Sequence, residues 1–230
     1  HLVAFNAAFD ELDIPWRWTE QRYGELLRVA GGFERLLFDM DSQPLAPVAQ
    51  EERTVLARRI HALKNLRYGE LVASGTLPLR AGVRELFDEC AAEGLRMAIV
   101  TTTSRSNVQA LLAAQVGADW ESRFAAVVCA EDAPAKKPDP QAYRLVLERL
   151  QLPAERTVAI EDSAMGLAAA TAAGIPVVVT RSRYFQGDPV AGALAVGPSL
   201  GTRAGLYPGL DRYPGRVGLA DIRHWHETRG

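Results

Sequence analysis

A chain of 230 residues can bury one good core, or a core with a smaller satellite domain. Its 48% hydrophobic content is that of an ordinary globular protein, and its formal charge of −2 leaves no basic footprint for nucleic acid or a membrane surface. No apolar run approaches the ~18–20 residues that span a bilayer. Cys90 and Cys129 lie in apolar contexts without metal-ligand spacing, so they read as reduced core residues of a cytosolic protein. Lysine occurs only at Lys64, Lys136 and Lys137 in an arginine-rich chain, so each lysine asks for an explanation.

Residues 1–74 read as all-helical. Leu2, Phe5, Phe9 and Leu12 form a helical stripe from the outset, and the chain opens on His1 with no signal-peptide pattern. It therefore reads as a fragment or processed product that begins at or inside a helix. That helix ends near Asp13-Ile14-Pro15. A second covers roughly Glu20 to Val29 and stops at Gly31-Gly32. A short third helix and a loop with Pro44 and Pro47 precede a long helix from about Gln50 to Ala73.

From Gly75 the texture changes to alternating helices and strands, giving a second region over residues 75–230. Val83, Leu86, Phe87, Cys90 and Ala91 make a helix face, and Met97 to Val100 is a short apolar strand. Val108, Leu111, Leu112 and Val116 mark the next helix, followed by a strand from Phe124 to Cys129. Asp139-Pro140 starts a helix, with Asp139 as N-cap. Val158 to Ile160 is a strand, Ser163 to Ala173 a helix, Val177 to Val179 a strand, and Ala193 to Val196 a weaker strand candidate. Beyond Pro198 the chain is Gly/Pro-rich before a last short segment near Ile222. Short apolar strands alternating with helices define an α/β fold with a parallel sheet covered on both faces.

Ligands of such sheets bind beyond the carboxyl ends of the strands, and three exits there are chemically loaded. The first leaves into Thr101-Thr102-Thr103-Ser104, whose hydroxyls and main-chain N–H groups, at a helix start, suit a phosphate. A plain capping role for the Thr/Ser run is the competing reading. The second leaves into Glu131-Asp132 and then Lys136-Lys137-Pro138, where Lys137 is placed to neutralise a phosphate. The third leaves into Glu161-Asp162, hard oxygen donors of the kind that hold Mg²⁺. Helix capping by these carboxylates is the alternative there. Hydroxyl, cation and carboxylates on three successive exits make a joint signal much stronger than any one. No G-x-G-x-x-G follows a strand, which disfavours a dinucleotide site.

These residues resemble the haloacid dehalogenase superfamily of phosphohydrolases, with a Rossmann-like core and a helical cap. Thr101 looks like the second motif's Ser/Thr, Lys137 like the third motif's lysine, and Glu161-Asp162, in Ile160-Glu161-Asp162-Ser163-Ala164-Met165-Gly166, like the fourth motif. The chain is similar over almost its whole length to the CbbY-like branch, which acts on phosphorylated sugars. Ala4-Phe5-Asn6-Ala7-Ala8-Phe9, Gly31 to Arg35, His61 through Lys64 to Tyr68, Leu79 to Val83, Lys136 to Pro140, Tyr184 and Gly192-Ala193 carry that likeness. Phe33 stands where lysine is usual, and Ala81 where proline is usual. The first motif, Asp-x-Asp-Gly-Thr at a strand end, is absent. Asp39-Met40-Asp41-Ser42 has its spacing but lacks Gly-Thr and lies within the cap region, so it is not taken as the motif.

The resemblance implies an Mg²⁺-dependent phosphatase of a sugar phosphate or a pentulose bisphosphate, working through an aspartyl-phosphate. Thr101, Lys137 and His1 would take part in catalysis, and Glu161 and Asp162 would hold the metal. Gly32, Arg35, Lys64, Thr101 and Thr102 would bind substrate, with Arg35 and Lys64 on a distal phosphate. A solvated cap surface is an equally weighted reading of Arg35 and Lys64. The resemblance also places the first motif and its central strand just upstream of His1. The 230 residues alone are accordingly expected to be inactive and unstable, as a cytoplasmic monomer without nucleic-acid or membrane partners. Two other readings stand beside the phosphatase: a β-phosphoglucomutase-like phosphomutase, and a non-catalytic phosphate-binding module.

Overall fold

A computed structural model describes residues 1–75, 77–208 and 214–229. The chain divides into two compact units. One comprises His1–Pro78 with Thr102–Ala118, the other Leu79–Thr101 with Asp119–Gly230. Residues 102–118, assigned from the sequence to the α/β region, therefore group with the helical part.

The helical unit contains α1 (Leu2–Glu11), α2 (Glu20–Leu26), α3 (Gly32–Asp39), α4 (Gln50–Ala73) and α6 (Arg105–Val116). Helix α2 ends earlier than its sequence pattern suggests; the chain leaves it in turns that bond Val29 N–H to the Leu26 carbonyl. Apolar residues at helical spacing converge on one core, in which Phe5, Phe9, Trp18, Leu26, Leu36 and Ile60 are fully buried. The ring pairs Phe5–Trp18 and Phe9–Trp18, with centroids 4.6 and 5.2 Å apart, add directional packing.

Asp39 fastens this core. Its carboxylate accepts from Trp18 Nε1 at 2.5 Å, from Arg22 Nη2 at 2.6 Å and Nε at 3.0 Å, and from Gln43 Nε2 at 2.6 Å. Asp41 is exposed and pairs with Arg53. The Asp39-Met40-Asp41 spacing thus belongs to a helix end, with Asp39's oxygens occupied by structural donors.

The α/β unit contains α5 (Val83–Ala92), β1 (Ala98–Val100), β2 (Ala126–Val128), α7 (Gln141–Leu150), β3 (Ala159–Glu161), α8 (Ala164–Ala172), β4 (Val177–Thr180), β5 (Ala195–Gly197) and α9 (Leu219–Glu227). Among the described residues the pairings β1–β2, β3–β4 and β4–β5 are parallel, and one isolated bridge, Val196–Tyr207, is antiparallel. Among the described residues the strands form two sheets, β1-β2 and β3-β4-β5, and β1 does not pair with β3. Strand β4 is buried along its whole length, as its Val177-Val178-Val179 run requires. Asp139, expected as the N-cap of α7, stands one residue before it: Pro140 occupies the cap position, and Asp139 accepts from Gln141 N–H at 2.8 Å. The segment near Ile222 is a nine-residue helix that buries Leu219, Ile222 and Trp225.

Candidate active site

In the α/β unit the carboxyl ends of β1 and β3 meet at one side chain. Lys137 Nζ donates to the Val100 carbonyl at 3.1 Å and to Glu161 Oε1 at 2.5 Å. An ammonium has three N–H donors, so among the described residues this geometry leaves one for a ligand oxygen. Lys136 points elsewhere and ties down its own loop through the carbonyls of Ala130 and Ala133. The lysine pair thus separates into one structural and one site residue.

Glu161 is buried, and the same Oε1 also accepts from the Tyr143 hydroxyl. Its other oxygen lies against α8, where a Cβ built on Gly166 would stand 1.9 Å from Oε2. Only glycine leaves room for the carboxylate there. Burial, Glu161's charge and that hydrogen bond all push the Tyr143 hydroxyl's pKa up, so it stays a donor.

Asp162 follows at the strand exit. Burial and then the neighbouring Glu161 charge raise its carboxyl above the usual range, while Arg80, Ser182 and Lys137 oppose the rise. Arg80 is held by four hydrogen bonds at the end of β4, to Thr180 O and Oγ1, Arg181 O and Pro198 O. Capping of α8 falls to Ser163, whose hydroxyl accepts from Gly166 N–H, and to Asp188, which accepts from Ala164 N–H. The capping alternative for Glu161 and Asp162 is therefore filled by other residues.

Asp162, its charged form disfavoured by burial and then by the Glu161 charge, suits a hard divalent cation that keeps water or phosphate in its remaining positions, whereas Glu161, expected beside it as a ligand, has Oε1 engaged by Lys137 and Tyr143. Among the described residues no group of three or more His, Cys, Asp or Glu side chains forms a cage of its own. The main-chain N–H of Thr101 is committed to the Val128 carbonyl at 3.0 Å, so that N–H is not available to a phosphate. Thr102 and Thr103 fall in the helical unit, where Thr103 Oγ1 accepts from Asn107 Nδ2 at 3.0 Å.

The helical unit holds its own cationic cluster. Lys64 is 3% exposed, with Nζ 5.3 Å from the ring centroids of both Phe5 and Tyr68. Its one hydrogen bond among the described residues is to Asn65 Oδ1 at 3.2 Å. Burial, then the charge of Arg35, lowers its pKa to about 8. Arg35 is buried too; it donates to the Leu26 and Val29 carbonyls and lies over the Tyr23 ring. The solvated-surface reading of these two cations is thereby overturned. Gly32 opens α3, where a Cβ would come within 3.0 Å of His61 Nε2, and the His1 ring packs on Tyr68 at 4.2 Å.

Sequence reasoning passed over Tyr143, Gly166 and Arg80 as site residues. Tyr143 lies on the apolar face Ala142-Tyr143-Val146-Leu150 and reads as core. Arg80 and Gly166 stood only as parts of family signatures. Gly166 carried a usable signal, a glycine five residues after the site carboxylate and inside a helix, where glycine costs about 1 kcal/mol unless close packing demands it.

A parallel α/β unit with a lysine, paired carboxylates and a threonine at its strand exits is the frame of a hydrolase acting on phosphorylated or similarly anionic substrates. The chain belongs to the haloacid dehalogenase-like hydrolase family, whose model matches residues 1–174. It is 46% identical over 232 residues to the plasmid CbbY protein of Cupriavidus necator, covering 98% of this chain and 90% of that one. CbbY from Rhodobacter sphaeroides, solved in complex with phosphate, superposes with a TM-score of 0.83 at 33% identity, over 97% of this chain and 91% of that one. A mutant of CbbY from the same organism, in complex with xylulose-(1,5)bisphosphate, gives a TM-score of 0.81 at 37% identity, over 89% and 90%.

Proposed function

We propose that this protein is an Mg²⁺-dependent sugar-phosphate phosphatase whose preferred substrate is a pentulose bisphosphate of the xylulose-1,5-bisphosphate type. The observation that carries this reading is Lys137, held between the end of β1 and the Glu161 carboxylate with one N–H unspent. A cation fixed in that way offsets charge on a transferring phosphoryl group without reorganising during the reaction. The Thr101 hydroxyl assists it. Asp162, with Glu161 beside it, would hold Mg²⁺, which would supply positive charge at the phosphoryl group and so ease the approach of an anionic nucleophile. Arg35 and Lys64 supply two buried cations for a second phosphate, which favours a bisphosphate over a monophosphate. Gly32 and Thr102 line the substrate, and His1 assists proton transfer. The xylulose bisphosphate bound to the relative supports that choice of sugar.

On this reading the residues that attack the phosphorus are an Asp-x-Asp-Gly-Thr pair on a strand outside these 230 residues. The helical unit serves as the cap.

The test is phosphate release with Mg²⁺ from xylulose 1,5-bisphosphate and from pentulose monophosphates. It is run on residues 1–230 and on the chain extended by its upstream coding sequence. The expected result is bisphosphate hydrolysis by the extended chain and little by residues 1–230. Comparable rates from the two would refute the external nucleophile, and absence of release from the extended chain would refute the phosphatase.

A further inference from the structure

We propose that Tyr143 is a positioning residue for the phosphate-binding ammonium, acting through Glu161; this rests on the role given to Lys137 above. Three observations converge on it. The Tyr143 hydroxyl and the Lys137 ammonium donate to the same Oε1 of Glu161. The Tyr143 ring also lies beneath the ammonium, with Nζ 5.0 Å from the ring centroid. Tyr143 itself is 5% exposed and sits on α7, which follows directly on the Lys137 loop.

A buried tyrosine always needs a partner for its hydroxyl, and a purely structural role would stop there. Here one side chain restrains both members of the ion pair. The hydroxyl removes one rotational freedom of the Glu161 carboxylate, and Gly166 closes the other side. The ring face limits where the ammonium can move. With two of its N–H groups directed at Glu161 and Val100, the third is aimed by elimination. Loss of the hydroxyl alone leaves the core filled but lets the carboxylate swing, so the third N–H loses its fixed direction. The consequence falls on the charge developed in the transition state, and only weakly on ground-state binding.

The experiment compares Tyr143→Phe and Tyr143→Leu in the active, extended chain. Tyr143→Phe should lower kcat at least tenfold with KM within twofold and the melting temperature within a few degrees. Tyr143→Leu should lose more kcat, because the ring face goes as well. A second readout needs no activity: the side-chain ¹⁵N ammonium resonances in lysine-labelled protein, to which residues 1–230 contribute Lys64, Lys136 and Lys137, with the Lys137 signal assigned by its loss in Lys137→Met. In Tyr143→Phe the Lys137 resonance should broaden or shift through faster proton exchange, while that of Lys64 stays in place. An unchanged Lys137 resonance overturns the proposal, as does a kcat within twofold of the parent. A shifted resonance in a protein that releases no phosphate upholds the positioning role and defeats the phosphatase reading alone.

Discussion

Lys64→Met should make the helical unit more stable while weakening its hold on a doubly phosphorylated ligand. Methionine keeps the apolar stem and removes the charge. Burial, with a smaller contribution from Arg35, takes the Lys64 pKa from 10.5 to about 8. At about 1.4 kcal/mol per unit, keeping this ammonium charged in the fold costs about 3 kcal/mol. The rings of Phe5 and Tyr68 return part of it, about 1–2 kcal/mol in all at such distances. Asn65 Oδ1 keeps its bond from Asn107 Nδ2 at 3.0 Å, so no acceptor is orphaned. The net expectation is a gain of about 1–2 kcal/mol at pH 7, read by urea unfolding. The pH dependence has a definite sign. Below pH 8 both states carry the proton and the full cost applies. Between pH 8 and 10.5 the unfolded chain holds more protons, so parent stability rises with pH relative to the variant and the variant's advantage shrinks. Calorimetric affinity for xylulose 1,5-bisphosphate should fall at least tenfold, with a pentulose monophosphate little affected. A variant less stable than the parent at pH 7, or an advantage that persists at pH 10.5, would refute the reasoning. An equal loss for mono- and bisphosphates would refute the distal-phosphate role.

Gly166→Ala places a Cβ 1.9 Å from Glu161 Oε2 and should cut kcat at least tenfold, while the melting temperature stays close to the parent because a side-chain end can move aside. Steady-state kinetics beside thermal unfolding separate the two effects. Asp39→Asn replaces a buried carboxylate that serves Trp18, Arg22 and Gln43 and should cost about 2–4 kcal/mol of stability by urea unfolding; a loss under about 1 kcal/mol would contradict its anchoring role. Lys137→Met should lower kcat by about 10²–10³-fold, the scale of losing one preorganised donor to developing charge, with a KM change under fivefold.

The α/β alternation was legible because its strands are short apolar runs that leave little alternative to burial on both faces. Val177-Val178-Val179 and Ala126-Val127-Val128 could be placed from their residues alone. Strand pairing was not legible in the same way. The division into β1-β2 and β3-β4-β5 depends on which edges approach in space. The site was legible where a residue stood out by rarity or position: Lys137 in a lysine-poor chain, and Glu161-Asp162 after an apolar strand. It was hidden where a residue has two uses. Tyr143 satisfies the helical spacing of a core position, and nothing local shows that its hydroxyl meets a carboxylate 18 residues away. Lys64 and Arg35 were named for a distal phosphate beside an even reading as solvated surface, and nothing local in the sequence could show that they are buried.

That burial separates two kinds of cation. Lys137 is matched by a carboxylate, a carbonyl and a ring face, so its charge is held in place and nearly neutralised before any ligand arrives. Lys64 and Arg35 are buried with no hydrogen bond to a carboxylate among the described residues, and burial lowers the pKa of both. Unmatched buried charge costs stability unless an anion offsets it. An anion that does so recovers that cost as ground-state affinity, whereas a cation already paired gains mainly from charge that grows during reaction. Loss of Lys64 or Arg35 should therefore appear chiefly in KM, and loss of Lys137 chiefly in kcat. If kinetics of the two classes of variant reversed that order, the division of labour drawn from their partners would be wrong.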